Sequence, residues 1–196
     1  KEELTAIRDK FGDGRKTEIQ DVEDEIDVED LIEEEDCCYT LSSQGYIKRM
    51  QVDTYRSLRR GGRGIHGQNL KEVDYIKSMF VASTQDYVLF FTDTGRVHKK
   101  KGYLIPEASR TARGTAIVNV LPLEPGEKVT AMLLTREFSE DEYLMMATKN
   151  GTVKRLALQA VNTNRKAGIR ALTLDEGDHL ISVMKTSGQD RIVLAT

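Results

Sequence analysis

The chain has 196 residues, of which 39% are apolar and 31% charged, with no tryptophan and a formal net charge of −3. No apolar run approaches the about 20 residues of a membrane-spanning helix and no signal-peptide pattern opens the sequence, which leaves a water-soluble domain as the expectation. The small net charge conceals a segregation: residues 1–36 hold 16 acidic and 5 basic side chains, residues 37–115 hold 6 and 14, and residues 116–196 hold 10 of each.

Residues 1–19 read as the end of a helical region: good helix formers around Leu4 and Ile7, stopped by the turn Gly12-Asp13-Gly14. Residues 20–36 alternate acids with single Val, Ile and Leu, too few for a core, and self-repulsion should keep this acidic linker or strap extended. From residue 37 onward short runs of β-branched and aromatic residues alternate with glycines and charged turns, which predicts an all-β fold. Adjacent Cys37 and Cys38 are expected to be reduced thiols, because one peptide link brings two cysteines into disulfide geometry only under strain. Neither they nor His66, His98 and His179 show a metal-ligand spacing, so no metal is assigned.

A repeat then emerges. Residues 39–49 read YTLSSQGYIKR, residues 87–99 YVLFFTDTGRVHK and residues 143–155 YLMMATKNGTVKR. Each is an apolar strand, a polar turn with Gly45, Gly95 or Gly151, and a second strand ending in basic residues, the pattern of a β-hairpin. A fourth copy starts at Ile192, so the sequence is expected to be part of a longer array. A second element follows each hairpin: Arg59-Arg60-Gly61-Gly62-Arg63-Gly64-Ile65, then Arg110-Thr111-Ala112-Arg113-Gly114-Thr115, then Arg165-Lys166-Ala167-Gly168-Ile169. Acidic turns come next, most clearly at residues 123–127 and 174–178. Units of about 50 residues with this content predict a propeller-like array of four-stranded blades.

Arginine offers a planar fork of donors matched to phosphate oxygens, and glycine lets the main chain come close, so residues 59–64 suit a nucleic-acid backbone. Lys48 with Arg49, Arg96 with Lys99, Lys100 and Lys101, and Lys154 with Arg155 recur at the ends of second hairpin strands and are read as a basic track. Arg110, Arg113, Arg165 and Lys166 extend it. No arrangement for reading bases is visible. Gly62, Gly64 and Gly67 also spell GxGxxG, but in all-β surroundings with no helix to follow.

The string RRGGRG after a YIKR hairpin resembles the box that marks the C-terminal domain of the gyrase A family, with Leu58 where the family carries Gln. Residues 109–114, 117–123, 168–171 and 175–178 are also similar to that family, and residues 1–19 resemble its exit from the DNA-cleaving region. The resemblance implies a β-pinwheel, a six-bladed disc that exchanges strands between blades and of which this chain covers about three, with the start of a fourth. It implies non-sequence-specific binding of double-stranded DNA and wrapping with a fixed hand around a basic rim, the step that lets DNA gyrase introduce negative supercoils. No activity is expected from this chain alone; it would belong to an ATP-dependent type IIA topoisomerase in which ATP and magnesium act elsewhere. The implied partners are gyrase B and a second copy of gyrase A, and the bacterial cytoplasm, in association with the nucleoid, is the implied location. The rival readings are the related domain of the A-type chain of topoisomerase IV, whose box is degenerate or missing, and a propeller-like protein-binding scaffold.

Overall fold

The computed structural model of the chain describes residues 2–12, 28–52 and 74–194. They fall into two units, Lys1–Leu31 and Ile32–Thr196. In the first, the helix α1 (Glu2–Phe11) carries Glu2 and Glu3 in its first turn and Arg8 and Lys10 in its last, each complementing the helix dipole. The Gly12 N–H donates to the Arg8 carbonyl at 2.6 Å and ends it. No residue of α1 is buried. Of the acidic segment read as a linker, residues 28–36 are described, beginning with a short 3₁₀ turn over Val28–Leu31. Residues 32–36, in the second unit, do not hang free but bond to the blade, Thr84 Oγ1 donating to the Glu33 carbonyl at 2.8 Å and the Thr84 N–H to the Glu35 carbonyl at 2.9 Å.

In the second unit the first repeat contributes β1 (Asp36–Ser42), β2 (Tyr46–Gln51) and β3 (Ile76–Ser83). The second contributes β4 (Tyr87–Thr92), β5 (Arg96–Lys101), β6 (Thr115–Ala116) and β7 (Val129–Thr135). The third contributes β8 (Tyr143–Thr148), β9 (Val153–Ala157), β10 (Ile169–Arg170) and β11 (Leu180–Thr186). Gly45, Gly95 and Gly151 turn the three hairpins at φ of 81°, 79° and 90°, values that glycine adopts at no steric cost.

The sheets do not follow the repeats. The first runs β3-β1-β2-β6, the second β7-β4-β5-β10, and the third β11-β8-β9. The short fourth strand of each of the first two sheets is donated by the repeat that follows: Thr115 and Ala116 pair with Ile47 and Tyr46, Ile169 and Arg170 with Val97 and Arg96. Neighbouring blades are thereby stitched by main-chain hydrogen bonds as well as by packing. This is the strand exchange of a β-pinwheel, here in an array that is not closed.

Alternation along the strands sends side chains to both faces of each blade. Tyr39, Leu41 and Ile47 meet Val88, Phe90 and Met132 between the first two blades, while Leu89, Phe91 and Val97 meet Leu144, Met146 and Val183 between the second and third. Buried on both faces, β4 reads as an unbroken apolar run, VLFF. Phe90→Ala would leave a cavity between two blades and should cost about 3–5 kcal/mol. Urea denaturation of the full chain measures it, and a loss under about 1 kcal/mol would contradict a packed interface.

Two details depart from the sequence reading. The tyrosines opening the three sequence copies are not equivalent: Tyr39 is fully buried opposite Arg49, whereas Tyr87 and Tyr143 stand two residue pairs further from their turns and are half-buried. The acidic turns are latches. Asp74, Glu127 and Asp178 each bond the hairpin turn of their repeat: Ser43 Oγ to Asp74 Oδ1 at 2.8 Å, Thr94 Oγ1 to Glu127 Oε1 at 2.8 Å, Asn150 N to Asp178 Oδ1 at 3.0 Å. Burial raises the Glu127 pKa, but hydrogen bonds from Thr92, the Glu124 amide and Thr94 outweigh it and hold the carboxyl below its ordinary range.

Candidate nucleic-acid interface

The basic residues at the ends of second strands alternate between blade faces, so each pair divides. Lys48 opposes Thr40 in the register and is fully buried, its Nζ donating to the carbonyls of Ser109, Arg110 and Ala112. Arg49 points the other way, its Nε donating to the Ile105 carbonyl at 3.0 Å and its Nη2 3.4 Å from Glu107. In the second blade Lys99 donates to Oδ1 of Asn162 (2.8 Å) and of Asn164 (3.3 Å) and lies 4.8 Å from the Tyr87 ring centre. Lys101 donates to the Gln85 carbonyl and sits 4.0 Å over the same ring. In the third, Lys154 Nζ reaches the Ala171 carbonyl at 2.8 Å and Arg155 stacks 4.9 Å over Tyr143. The sequence places these cations in one track. The structure shows Lys48, Arg49 and Lys99 gripping the segment that crosses over from the next repeat.

A different set gathers at the junctions. The turn that leads into β6 carries half-buried Arg110 and exposed Arg113, whose guanidinium lies 5.2 Å from the Tyr46 ring centre. The turn that leads into β10 carries Arg165 and Lys166, both exposed. In β10 itself exposed Arg170 pairs in register with Arg96, which bonds Glu124 at 2.6 Å and the Ala167 carbonyl at 3.4 Å. Lys100, opposite Val88, is half-buried. Sequence reasoning did not single out Arg170 as a site residue; its signal is the register, invisible until β10 is placed against β5. Residues 59–64, the arginine- and glycine-rich motif, lie outside the described residues.

Each junction depends on a glycine. Gly114 (φ 97°) and Gly168 (φ 69°) precede the donated strands, and a Cβ on either would stand 2.5 Å from a carbonyl oxygen of the receiving strand, Ile47 or Val97. Main chain thus comes against main chain with cations on either side, a geometry that can present arginines to a passing phosphate backbone and offers nothing to a base edge. Among the described residues no three His, Cys, Asp or Glu side chains gather as a metal ion would need. Cys37 and Cys38 are buried and unbridged, and burial pushes both thiols up.

His98 occupies the position of Lys48 in the second blade. It is buried, and neither ring nitrogen has a hydrogen-bond partner among the described residues. Burial pushes its pKa below the ordinary 6.5, nearby Glu127 opposes that, and Arg96 and Lys100 add to it. The folded state therefore binds the proton less readily than the unfolded chain. Its contribution to stability is complete above pH 6.5 and falls as the pH drops from there towards the folded-state value. The urea midpoint should decline between pH 7.5 and 5.5 in the natural chain and less steeply in His98→Leu; equal slopes would contradict a neutral buried imidazole.

A family model described as the DNA gyrase C-terminal domain, beta-propeller, matches residues 38–83, 86–136 and 142–187. The DNA gyrase A protein of Clostridium acetobutylicum is 46% identical over 196 residues, covering 100% of this chain and 24% of that protein, so the chain spans about a quarter of the relative it matches. A solved C-terminal domain of DNA topoisomerase IV superposes with a TM-score of 0.69 at 24% identity, covering 80% of this chain and 47% of that one. A solved DNA gyrase A C-terminal domain gives 0.61 at 22% identity, covering 78% and 48%. At those identities the two structures bear on the fold alone.

Proposed function

Because the chain belongs to the DNA gyrase C-terminal domain family, we propose that it binds duplex DNA through the phosphate backbone, without reading bases, and wraps it with a fixed hand. The observation that carries this is the cationic turn repeated at the blade junctions: Arg110 and Arg113 before β6, Arg165 and Lys166 before β10. In the sequence, Arg59, Arg60 and Arg63 with Gly61, Gly62 and Gly64 stand at the corresponding place of the first repeat. Lys100, Arg96 and Arg170 add charge in the second blade, and Lys99, Lys101, Lys154 and Arg155 add more in the second and third. Bending a short duplex costs on the order of 1–6 kcal/mol per site-sized segment, which a series of such turns can offset and a single one cannot.

In the whole protein this module serves DNA gyrase, beside gyrase B and a second copy of gyrase A, in the bacterial cytoplasm at the nucleoid. The gyrase A identity of the full-length relative and the complete arginine–glycine box favour gyrase over topoisomerase IV. The test is binding to relaxed circular plasmid, then topoisomerase I relaxation and a gel reading of linking number, across a salt series. A shift of one sign, lost as salt rises, is expected. Binding with no shift would favour the topoisomerase IV relative, and no binding at low salt would overturn the proposal in favour of a protein-binding scaffold.

A further inference from the structure

A buried ammonium is costly unless each of its three N–H bonds finds an acceptor. Lys48 has no exposed surface, and its Nζ meets main-chain oxygens of Ser109 at 3.2 Å, Arg110 at 2.7 Å and Ala112 at 2.9 Å. Three carbonyls from four consecutive residues converge on one cation only if the chain curls around it, and the Ala112 N–H closes the curl on the Ser109 oxygen at 3.1 Å. Two residues on, Gly114 is pressed against the Ile47 carbonyl, and β6 begins. The loop is thus clamped to β2 from below at the point where it carries Arg110 and Arg113. The second junction provides a contrast, since His98 stands at the equivalent position with both ring nitrogens unpartnered among the described residues.

We infer that Lys48 does not contact DNA but is the positioning residue of a phosphate-binding loop, residues 109–114, whose Arg110 and Arg113 touch the duplex backbone. This rests on the DNA-binding function proposed above. The clamp substitutes a fixed loop for a mobile one, so the two guanidiniums lose less conformational freedom when they meet phosphate. A surface cation would be shielded by bound DNA; a positioning cation is shielded already.

The test uses the full chain. Arginines are modified with phenylglyoxal and lysines with an acylating reagent, with and without a short duplex, and the modified residues are read by mass spectrometry. Arg110 and Arg113 should react in the free protein and be protected by DNA, while Lys48 resists in both states. Lys48→Met and the milder Lys48→Gln, each checked for folding by circular dichroism, should lower the salt slope of binding by about 1.8, the value for two lost phosphate contacts. Arg110→Ala with Arg113→Ala should lower it equally, and adding Lys48→Met to that pair should change nothing more. An unchanged slope in a folded Lys48 variant, or a Lys48 that reacts freely and is protected by DNA, overturns the inference. If neither variant folds, the footprint on the natural chain decides. Duplex binding that leaves Arg110 and Arg113 reactive sinks this loop alone, whereas no binding at low salt sinks the proposed function with it.

Discussion

Replacing Arg59, Arg60 and Arg63 together by alanine should abolish the linking-number shift on a relaxed plasmid while leaving a weaker affinity for DNA. Three arginines stand within five residues, set among four glycines if Gly67 is counted with Gly61, Gly62 and Gly64. Gly64 aligns with Gly114 and Gly168, both of which bring main chain against main chain just before a donated strand. At residues 109–114 such a turn is held on a fixed backbone, and a fixed backbone is what gives a bend its hand. The loss should be in two parts. Three phosphate contacts removed would lower the salt slope by roughly 2.7, so the variant binds more weakly at low salt and less salt-sensitively. The junction cations at 110, 113, 165 and 166 remain and sustain residual binding. A triple variant that still shifts linking number by the natural amount would remove the box from the mechanism. Lysine in place of all three arginines separates charge from geometry, because lysine keeps the charge but not the fork. It should restore much of the affinity and little of the shift.

Alanine at Gly114 or Gly168 should cost about 2–4 kcal/mol each, well above the cost at a turn glycine with open space beside it. Two terms add: a residue with a Cβ is strained at φ of 97° or 69°, on the order of 1–3 kcal/mol, and that Cβ would stand 2.5 Å from a carbonyl that belongs to a strand and cannot turn aside. Gly151, at φ 90° in the third hairpin turn, has nothing within 4 Å of an added Cβ, so Gly151→Ala carries the strain term alone, about 1–2 kcal/mol. The comparison isolates the close approach from the dihedral. Urea denaturation of the three variants measures it, with the expected order Gly114 and Gly168 well above Gly151. Equal costs would mean that the donated strands are not seated on their neighbours. The Gly114 and Gly168 variants should also lose cooperativity between repeats, because β6 and β10 are the main-chain ties across each junction.

Much of this was legible in the residues. Turn glycines at 45, 95 and 151, each behind an apolar run, declare hairpins because a tight turn needs positive φ and a strand needs a side to bury. Repetition of the hairpin, the cationic turn and the acidic turn declares an array of blades. The arginine- and glycine-rich motif at residues 59–64 points to a phosphate-bearing partner, since few side chains other than arginine match phosphate so well. All of these are local: each depends on residues within a few positions of one another.

Tertiary structure decided the rest, because the remaining signals join residues far apart in sequence. Lys48 and Lys154 stand at the same place in their repeats, yet one is caged by three carbonyls and the other reaches a single one. His98, at the same place again, is buried without a partner among the described residues. Asp74, Glu127 and Asp178 look like solvated turn residues until each is seen bonding a hairpin turn about 30 residues earlier. Above all, a strand of two residues such as Thr115–Ala116 has too little pattern to be found in the sequence. Its partner, β2, lies in the preceding repeat, and only the packing of one blade on the next brings the two within hydrogen-bonding distance. Composition and periodicity determine which elements form and what charge they carry; which cations face solvent and which are consumed in holding blades together is decided by where the crossing chain comes to rest.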